Sequence, residues 1–311
     1  MHCVIIGAGL SGLIAARTLH DAGHVTTVVD KGRAVGGRLA TRRIGEGTFD
    51  HGAQFFTVRD PEFARLTDEW ISAGVVREWC RGFEAGGDGH PRYIGTTGMT
   101  AIAKYLAQDL SVRCSSLVFS LAREGAGWRV TLDDGTHISC DAIVMTCPIA
   151  QSFGFAFTAG VELPDDLRVI DYHRTLALLA VLDSPSEVPA PGGLQNPDET
   201  FSFIGDNMAK GISRVPAVTF HANPEWSLAH WDTPHDDAHR LLTELAAPYI
   251  GNAKIVESNY KKWRFATPQQ QWPKHCWVHD SGNFVLAGDA FFGPRIEGAA
   301  LSGLAAARAL L

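Results

Sequence analysis

The sequence predicts an α/β fold in which a parallel-sheet domain is assembled from both ends of the chain and interrupted by a second domain. Three observations carry that prediction. Near the start, an apolar strand runs into a glycine-spaced turn, a helix and a second β-rich run. Residues 142–146 (AIVMT) form a near-continuous apolar stretch, as in a strand covered on both faces. Near the end, FVLAGD at 284–289 reads as another buried strand, and EGAALSGLAAARALL at 297–311 as a closing helix. With 311 residues, and about 150 per domain, two domains are expected, enough to bury large cores without covalent staples.

The elements follow in order. Cys3–Ile6 reads as the first strand, and LIAARTLHDAG as a helix closed by Gly23. His24–Asp30 is the second parallel strand of a unit of about 30 residues. Pro61–Ala73 reads as a helix, with Asp60 as N-cap and Pro61 at its first position. GFEAGGDGHPRY is a glycine-rich loop, and Met99–Leu110 a helix. WRVTL and HISCDAIVMT read as two strands joined through Asp133-Asp134-Gly135. LALLAVLD and AVTFHA look like strands of a second sheet, flanking a four-proline loop over Pro185–Pro197. Thr233 is expected to cap a helix over 234–250 with acids in its first turn. KIVESNYKKWRFA is strand-like.

Composition narrows the function classes. A formal net charge of −7 argues against a general nucleic-acid binder. No uninterrupted apolar run is long enough to predict a transmembrane helix, and the amino-terminal run lacks the cationic flank of a signal peptide, so a cytoplasmic location is expected. The six cysteines include no CxxC pair; Cys3, Cys140 and Cys147 lie in or beside apolar runs, as small core residues do. His235 and His239 lie four apart near His230, but no Glu completes an HExxH motif, and no metal is expected. No GxSxG element supports serine hydrolysis.

The strongest chemical signal is Gly7-x-Gly9-x-x-Gly12 directly after a strand. Gly7 permits the tight turn, Gly9 admits a pyrophosphate to the backbone, and Gly12 lets the helix pack on the sheet. The helix start supplies N–H groups and partial positive charge to the phosphates. Asp30, at the end of the second strand, is where an acid takes ribose hydroxyls. A second glycine pair with a cation, Gly36-Gly37-Arg38, suits a backbone wrapped around a dinucleotide.

With FDHGAQFF at 49–56, Gly288-Asp289 and Glu297-Gly298 added, the pattern resembles the FAD fingerprint of the flavin amine oxidase superfamily. DHGAQFFTVRDPEF, NPEWS, KKWRFA and LAGDAF…EGAALSG are similar to the renalase family within it. The resemblance implies noncovalent FAD in a Rossmann-type domain, with an interleaved α+β substrate domain over the flavin: the two-domain architecture of amine oxidases and p-hydroxybenzoate hydroxylase. It places residues 1–57, 97–155 and 277–311 in the FAD-binding domain, and 58–96 and 156–276 in the substrate domain. It implies cofactor contacts at Gly7, Gly9, Ser11, Gly12, Asp30, Lys31, Gly37, Arg38 and the Gly52-Ala53-Gln54-Phe55 run. Further contacts are implied at Gly98, Met99, Gly288, Asp289, Glu297 and Gly298. Asp30 departs from the Glu that many relatives carry, and no cysteine stands in a flavin-linking motif.

The resemblance also implies an activity: oxidation of dihydronicotinamide dinucleotides reduced at ring position 2 or 6, with O2 reoxidising the flavin to give H2O2, a form of metabolite repair. An FAD amine oxidase or related dehydrogenase, and a non-enzymatic flavin redox sensor, are the alternatives. Oxidising a dihydropyridine releases hydride and leaves an aromatic cation, so no general base is needed and positioning dominates. A planar ring wants aromatic walls. Trp263, Arg264 and Phe265 are pocket candidates, as are His221, Trp226 and Asn207, each with an ordinary structural role as the competing reading. Lys210 is a candidate for a substrate phosphate or a plain turn residue.

Overall fold

The first strand, His2–Ile6, sends alternate side chains to opposite sides: Cys3 and Ile5 enter one core, Val4 and Ile6 another. It therefore lies mid-sheet. The computed structural model describes residues 1–83 and 87–311 and builds around it a six-stranded sheet. The order is Trp277–Val278, Phe284–Leu286, Ala142–Met145, His2–Ile6, Val25–Val29, Ser111–Arg113. All pairings are parallel except the first, which is antiparallel. One face carries the helices Leu10–Asp21 and Ile296–Arg308, whose inner residues share one core with Trp70 and Ile102. The other packs on a three-stranded antiparallel layer, Val118–Glu124, Gly127–Leu132 and His137–Cys140, and on the helix Ile149–Thr158.

The second domain is an antiparallel sheet of five strands: Gly193–Gln195, Phe201–Asp206, Ala217–Ala222, Tyr172–Leu182 and Ile255–Pro268. One face is covered by the helices Pro224–Ala229 and His235–Ile250. Two hairpins, Thr41–Ile44 with Gly47–Asp50 and Val76–Cys80 with Arg92–Gly95, complete the strands among the described residues. The fold is a two-domain α/β fold with a Rossmann-like nucleotide-binding domain, drawn from both ends of the chain.

Several boundaries differ from the sequence reading. The run 137–146 divides at Asp141, whose backbone N–H donates to the His2 carbonyl while its carboxylate accepts the His2 N–H. Residues before it join the three-stranded layer and those after it the central sheet. The helix expected over 99–110 is confined to Thr100–Leu106, because Asp109 takes a left-handed φ of 60°. Pro234 rather than Thr233 caps the helix His235–Ile250, without a side-chain cap. Its first turn still holds Asp236 and Asp237, which suit the positive end of the helix. The proline loop contains the edge strand Gly193–Gln195, and Arg92 and Tyr93 belong to a strand rather than a loop. The remainder of that glycine-rich stretch falls partly on residues 84–86, outside the described residues. The cap at Asp60 is as expected: its carboxylate accepts the N–H groups of Glu62 (2.8 Å) and Phe63 (3.4 Å).

Candidate functional site

A cleft of about 580 Å³ opens where the parallel strands end and the antiparallel sheet overhangs them. Clefts at the carboxyl ends of parallel strands are the usual ligand sites of such sheets. The glycine turn supplies Gly9, Leu10 and Ser11, and the segment after the second strand supplies Gly36 and Arg38. His51, Gly52, Ala53 and Phe55 form a floor. Gly288, Asp289, Arg295, Ile296 and Glu297 enter from the carboxyl end, and Thr175, Gln195, Ser202, His221, Trp263 and Thr267 from the second sheet. A separate cavity of about 480 Å³ beside Trp272, Lys274 and Trp277 takes no residue from the glycine turn.

The glycines test whether a dinucleotide fits. Gly7 has a φ of +114°, and a Cβ on Gly12 would stand 2.0 Å from the Gly7 carbonyl oxygen, so the protein's own geometry demands both. Gly9 is different. Its φ is −78°, and a Cβ there would meet nothing within 4 Å. Neither packing nor backbone accounts for glycine at this position; a ligand pressed against it does. Beside it, the Ser11 hydroxyl is buried without a partner among the described residues, and the first turn of that helix holds no acid to compete with a phosphate. The residues present fit FAD.

Asp30 stands beside the cleft, not in its lining; its carboxylate accepts the N–H groups of Ala8 (2.7 Å) and Gly32 (2.6 Å), shaping the glycine turn. Each oxygen retains acceptor capacity. Arg38 is held by Asp289 through a two-pronged ion pair, with one guanidinium nitrogen 2.6 Å from a carboxylate oxygen and a further bond to the Ala266 carbonyl at 3.2 Å. The first and last segments of the chain thus meet across the cleft.

Other expected contacts are absent from the lining. Lys31 is exposed, 3.2 Å from Gln151. Gln54 is buried and donates to the Asp50 and Gly52 carbonyls. Met99 is buried and donates its N–H to Asp50. Gly7, Gly12, Gly37, Gly98 and Gly298 are also outside the lining; a Cβ on Gly12 or Gly298 would strike backbone.

Of the substrate-side candidates, His221 and Trp263 line the cleft. The indole N–H of Trp263 donates to the His51 carbonyl at 2.9 Å, and His221 Nε2 lies 3.1 Å from the same oxygen. Trp263 also stacks on the His51 ring, with centroids 5.2 Å apart. The remaining four lie outside the lining. Asn207 is wholly buried, binding the Asp50 N–H and three acceptors of the second sheet. Trp226 stacks on His230 at 3.9 Å; it lies half-buried on the covering helix Pro224–Ala229 and packs against the second-domain core, outside the cleft lining. Arg264 is exposed and outside the lining. Phe265 packs edge-on against Tyr172. Strict alternation would have put Trp263 and Phe265 on one face. An irregularity pairs His173 with Thr267 but Thr175 with Trp263, and this breaks the alternation. Lys210, the candidate for a phosphate, is fully buried against Asp50.

Sequence reasoning missed His51, which lies within a stretch it singled out, and also Arg59, Arg295, Thr175, Gln195 and Ser202. The last three share a site only through strand pairing, which no local motif encodes.

Both cleft histidines are neutral at ordinary pH. Burial, aided by Lys261, pushes His51 down to about 3. Burial also pushes His221 down to about 4, against the opposing pull of the His51 carbonyl. The unfolded chain takes up protons near the ordinary histidine value of 6.5 while the folded chain refuses them. Stability is therefore expected to be full above pH 6.5 and to fall progressively toward pH 4. Urea midpoints across that range, compared with those of His221→Gln, check this: the variant should show a shallower acid decline.

Comparison with known proteins agrees with the geometry. Residues 72–311 match the family described as flavin containing amine oxidoreductase, and residues 5–70 an NAD(P)-binding Rossmann-like domain. The chain is 44% identical over 71 residues to an L-amino-acid oxidase of Bothrops pauloensis, and 52% over 45 residues to one of Siganus canaliculatus. These matches cover 22% and 14% of this chain. The chain spans only 14% and 8% of the length of those relatives. Among solved structures, a putative protoporphyrinogen oxidase from Exiguobacterium sp. 255-15 superposes with a TM-score of 0.75 at 13% identity. A cyclohexylamine oxidase from Brevibacterium oxydans IH-35A superposes at 0.73 and 14%. Each covers 99% of this chain and 98% of its own, and each is a likeness of fold.

Proposed function

Since the chain belongs to the flavin containing amine oxidoreductase family, we propose that it is an FAD-dependent oxidase of the renalase type, acting on dihydronicotinamide dinucleotides reduced at ring position 2 or 6. FAD is the cofactor. In this reading it is held noncovalently by residues 1–57, 97–155 and 277–311, while 58–96 and 156–276 form the substrate domain.

One observation carries the reading: the charge inventory of the cleft. Four guanidiniums line it, Arg38, Arg59, Arg92 and Arg295, against the carboxylates of Asp289 and Glu297. Both carboxylates are engaged, Asp289 by Arg38, and Glu297 by the backbone N–H groups of Arg59 (2.6 Å) and Asp60 (3.0 Å). Arg92 is paired with Asp88, and among the described residues Arg59 and Arg295 have no ion-pair partner. Such a lining favours polyanions: the FAD pyrophosphate draws on part of the charge, and in this reading the unpaired guanidiniums serve the phosphates of a dinucleotide substrate and disfavour an ammonium. It also holds no ready base: the two imidazoles are depressed well below neutrality. An amine must lose a proton before it gives up hydride, whereas a dihydropyridine does not.

When bound, FAD supplies the two-electron acceptor that takes the hydride and passes the electrons to O2, yielding H2O2. The chain's own residues position and shield. Trp263, fixed by its bond to the His51 carbonyl, offers a flat wall for the dihydropyridine ring. Arg59 and Arg295 take the substrate phosphates.

Anaerobic rapid mixing tests this. Separated 2- and 6-dihydro isomers of the reduced nicotinamide dinucleotides should bleach the flavin. Arg59→Ala combined with Arg295→Ala should raise KM roughly tenfold, with little change in kcat. Bleaching by simple amines but not by the isomers would make the protein an amine oxidase instead.

A further inference from the structure

The floor segment 51–53 has an underside. Its flanking residues, Asp50 and Gln54, turn away from the cleft into the protein, where both meet Lys210. The ammonium lies 3.1 Å from an Asp50 carboxylate oxygen, 2.9 Å from the Gln54 carbonyl and 3.3 Å from the Gln54 side-chain oxygen. Both charged side chains are wholly removed from solvent. The other Asp50 carboxylate oxygen accepts the Thr41 hydroxyl at 2.6 Å and the Met99 N–H at 2.8 Å. The Asp50 carbonyl accepts the Thr219 hydroxyl at 2.9 Å and the Gln54 amide at 2.6 Å. The Asp50 N–H donates to Asn207 at 3.2 Å. Few segments of the molecule are tied so densely, and every tie lands on residue 50 or 54, one on each side of the cleft floor.

We propose that Lys210 is a positioning residue of the cofactor site: through Asp50 and Gln54 it sets the backbone path of His51-Gly52-Ala53, and so the fit of the floor to FAD. Stability alone does not account for the pair, because apolar side chains of similar volume generally serve a core as well as a buried ion pair does. Burial lowers the Lys210 pKa and Asp50 opposes that effect, as expected of a charge kept by its partner. The underside ties also reach the substrate wall. The His51 carbonyl, next to Asp50, receives both Trp263 and His221. A shift of the segment would therefore move the cofactor floor and both aromatic groups together. Gly52 leaves little slack: a Cβ there would lie 2.0 Å from the Arg38 carbonyl oxygen. The inference rests only on FAD being the cofactor, and it stands whichever reductant the enzyme uses.

The test removes the charges together. Lys210→Met with Asp50→Asn leaves no uncompensated charge and should melt at or above the wild-type temperature. The double variant should nevertheless bind FAD roughly tenfold more weakly. The visible circular dichroism of its bound flavin, a readout of the surrounding wall, should be altered. A double variant with wild-type stability, wild-type FAD affinity and an unchanged flavin spectrum would overturn the proposal. If the double variant does not fold, Thr219→Val is read the same way. It removes the tie to the Asp50 carbonyl, and with it one acceptor of the Asn207 amide, with little change of shape. It should weaken FAD binding and alter the flavin spectrum in the same direction; an unchanged affinity and spectrum there would equally overturn the proposal.

Discussion

Gly9→Val is expected to give a folded, colourless protein. The position has an ordinary extended backbone, with φ −78° and ψ 179°, which valine adopts readily. Among the described residues, no atom beyond its immediate chain neighbours and its own helix backbone lies within 4 Å of the new Cβ. The variant should therefore fold, less some tenths of a kcal/mol for a poorer helix N-cap. The added side chain nevertheless fills the space against which the pyrophosphate must rest. Affinity for FAD should fall by at least about a hundredfold, roughly 3 kcal/mol. Far-ultraviolet dichroism and melting report the fold, and visible absorbance after reconstitution reports the cofactor. Stoichiometric yellow protein from this variant would disprove the assignment of the turn. The contrast with Gly12 is instructive: substitution there strikes the Gly7 carbonyl at 2.0 Å and would damage the fold itself.

Gly303→Val should produce the opposite pattern, an unstable protein whose cofactor loss is secondary. Gly303 lies in the closing helix where it crosses the first one. A Cβ there would be 2.3 Å from the Ser11 carbonyl oxygen and 3.1 Å from the Ser11 backbone carbons. The obstacle is backbone, which cannot rotate aside, so the helices must part. Overpacking of a core usually costs about 1–3 kcal/mol, and this case belongs at or beyond the upper end. The shift also reaches the cleft, because the Ser302 hydroxyl accepts the Gly288 N–H at 2.8 Å. A clearly lowered melting temperature, partly restored by excess FAD, is expected. Gly154→Ala is the control: it lies in the helix Ile149–Thr158 with open space around its Cβ, and should be neutral or stabilising by up to about 1 kcal/mol. A Gly303→Val variant that melts like the wild type would show that the two helices are not packed as closely as described.

Local chemistry made much of this legible beforehand. The glycine turn, the Asp60 cap and the strand Ala217–Ala222 follow from residues a few positions apart, and all lie where the sequence places them. The wall of the cleft formed by the second sheet was less legible. Whether Trp263 or Phe265 faces the ligand depends on an irregular pairing with Tyr172–Leu182, set by residues almost a hundred positions earlier. The role of Lys210 was equally hidden. A lysine in DNMAKG reads as a phosphate ligand or a turn residue, and only the meeting of two segments 160 positions apart buries its charge. His51 escaped notice because its neighbours carry the recognisable pattern, and because what matters is its carbonyl as much as its ring.

The ion pair between Arg38 and Asp289 joins residues 251 positions apart. During synthesis, the glycine turn emerges from the ribosome long before the strand Phe284–Leu286 and the closing helix that complete its surroundings. Until they arrive, the apolar face of the first helix lacks its main partner and the central sheet lacks a strand. Until then the cleft also lacks Gly288, Asp289, Arg295, Ile296 and Glu297. The nascent chain passes through a long interval in which its most fold-specific segment is made but unprotected, and in which exposed apolar surface invites aggregation. Tight cofactor binding is therefore expected only once the end of the chain has been made, and chains cut short before residue 284 should accumulate as chaperone clients, not as weakened enzymes.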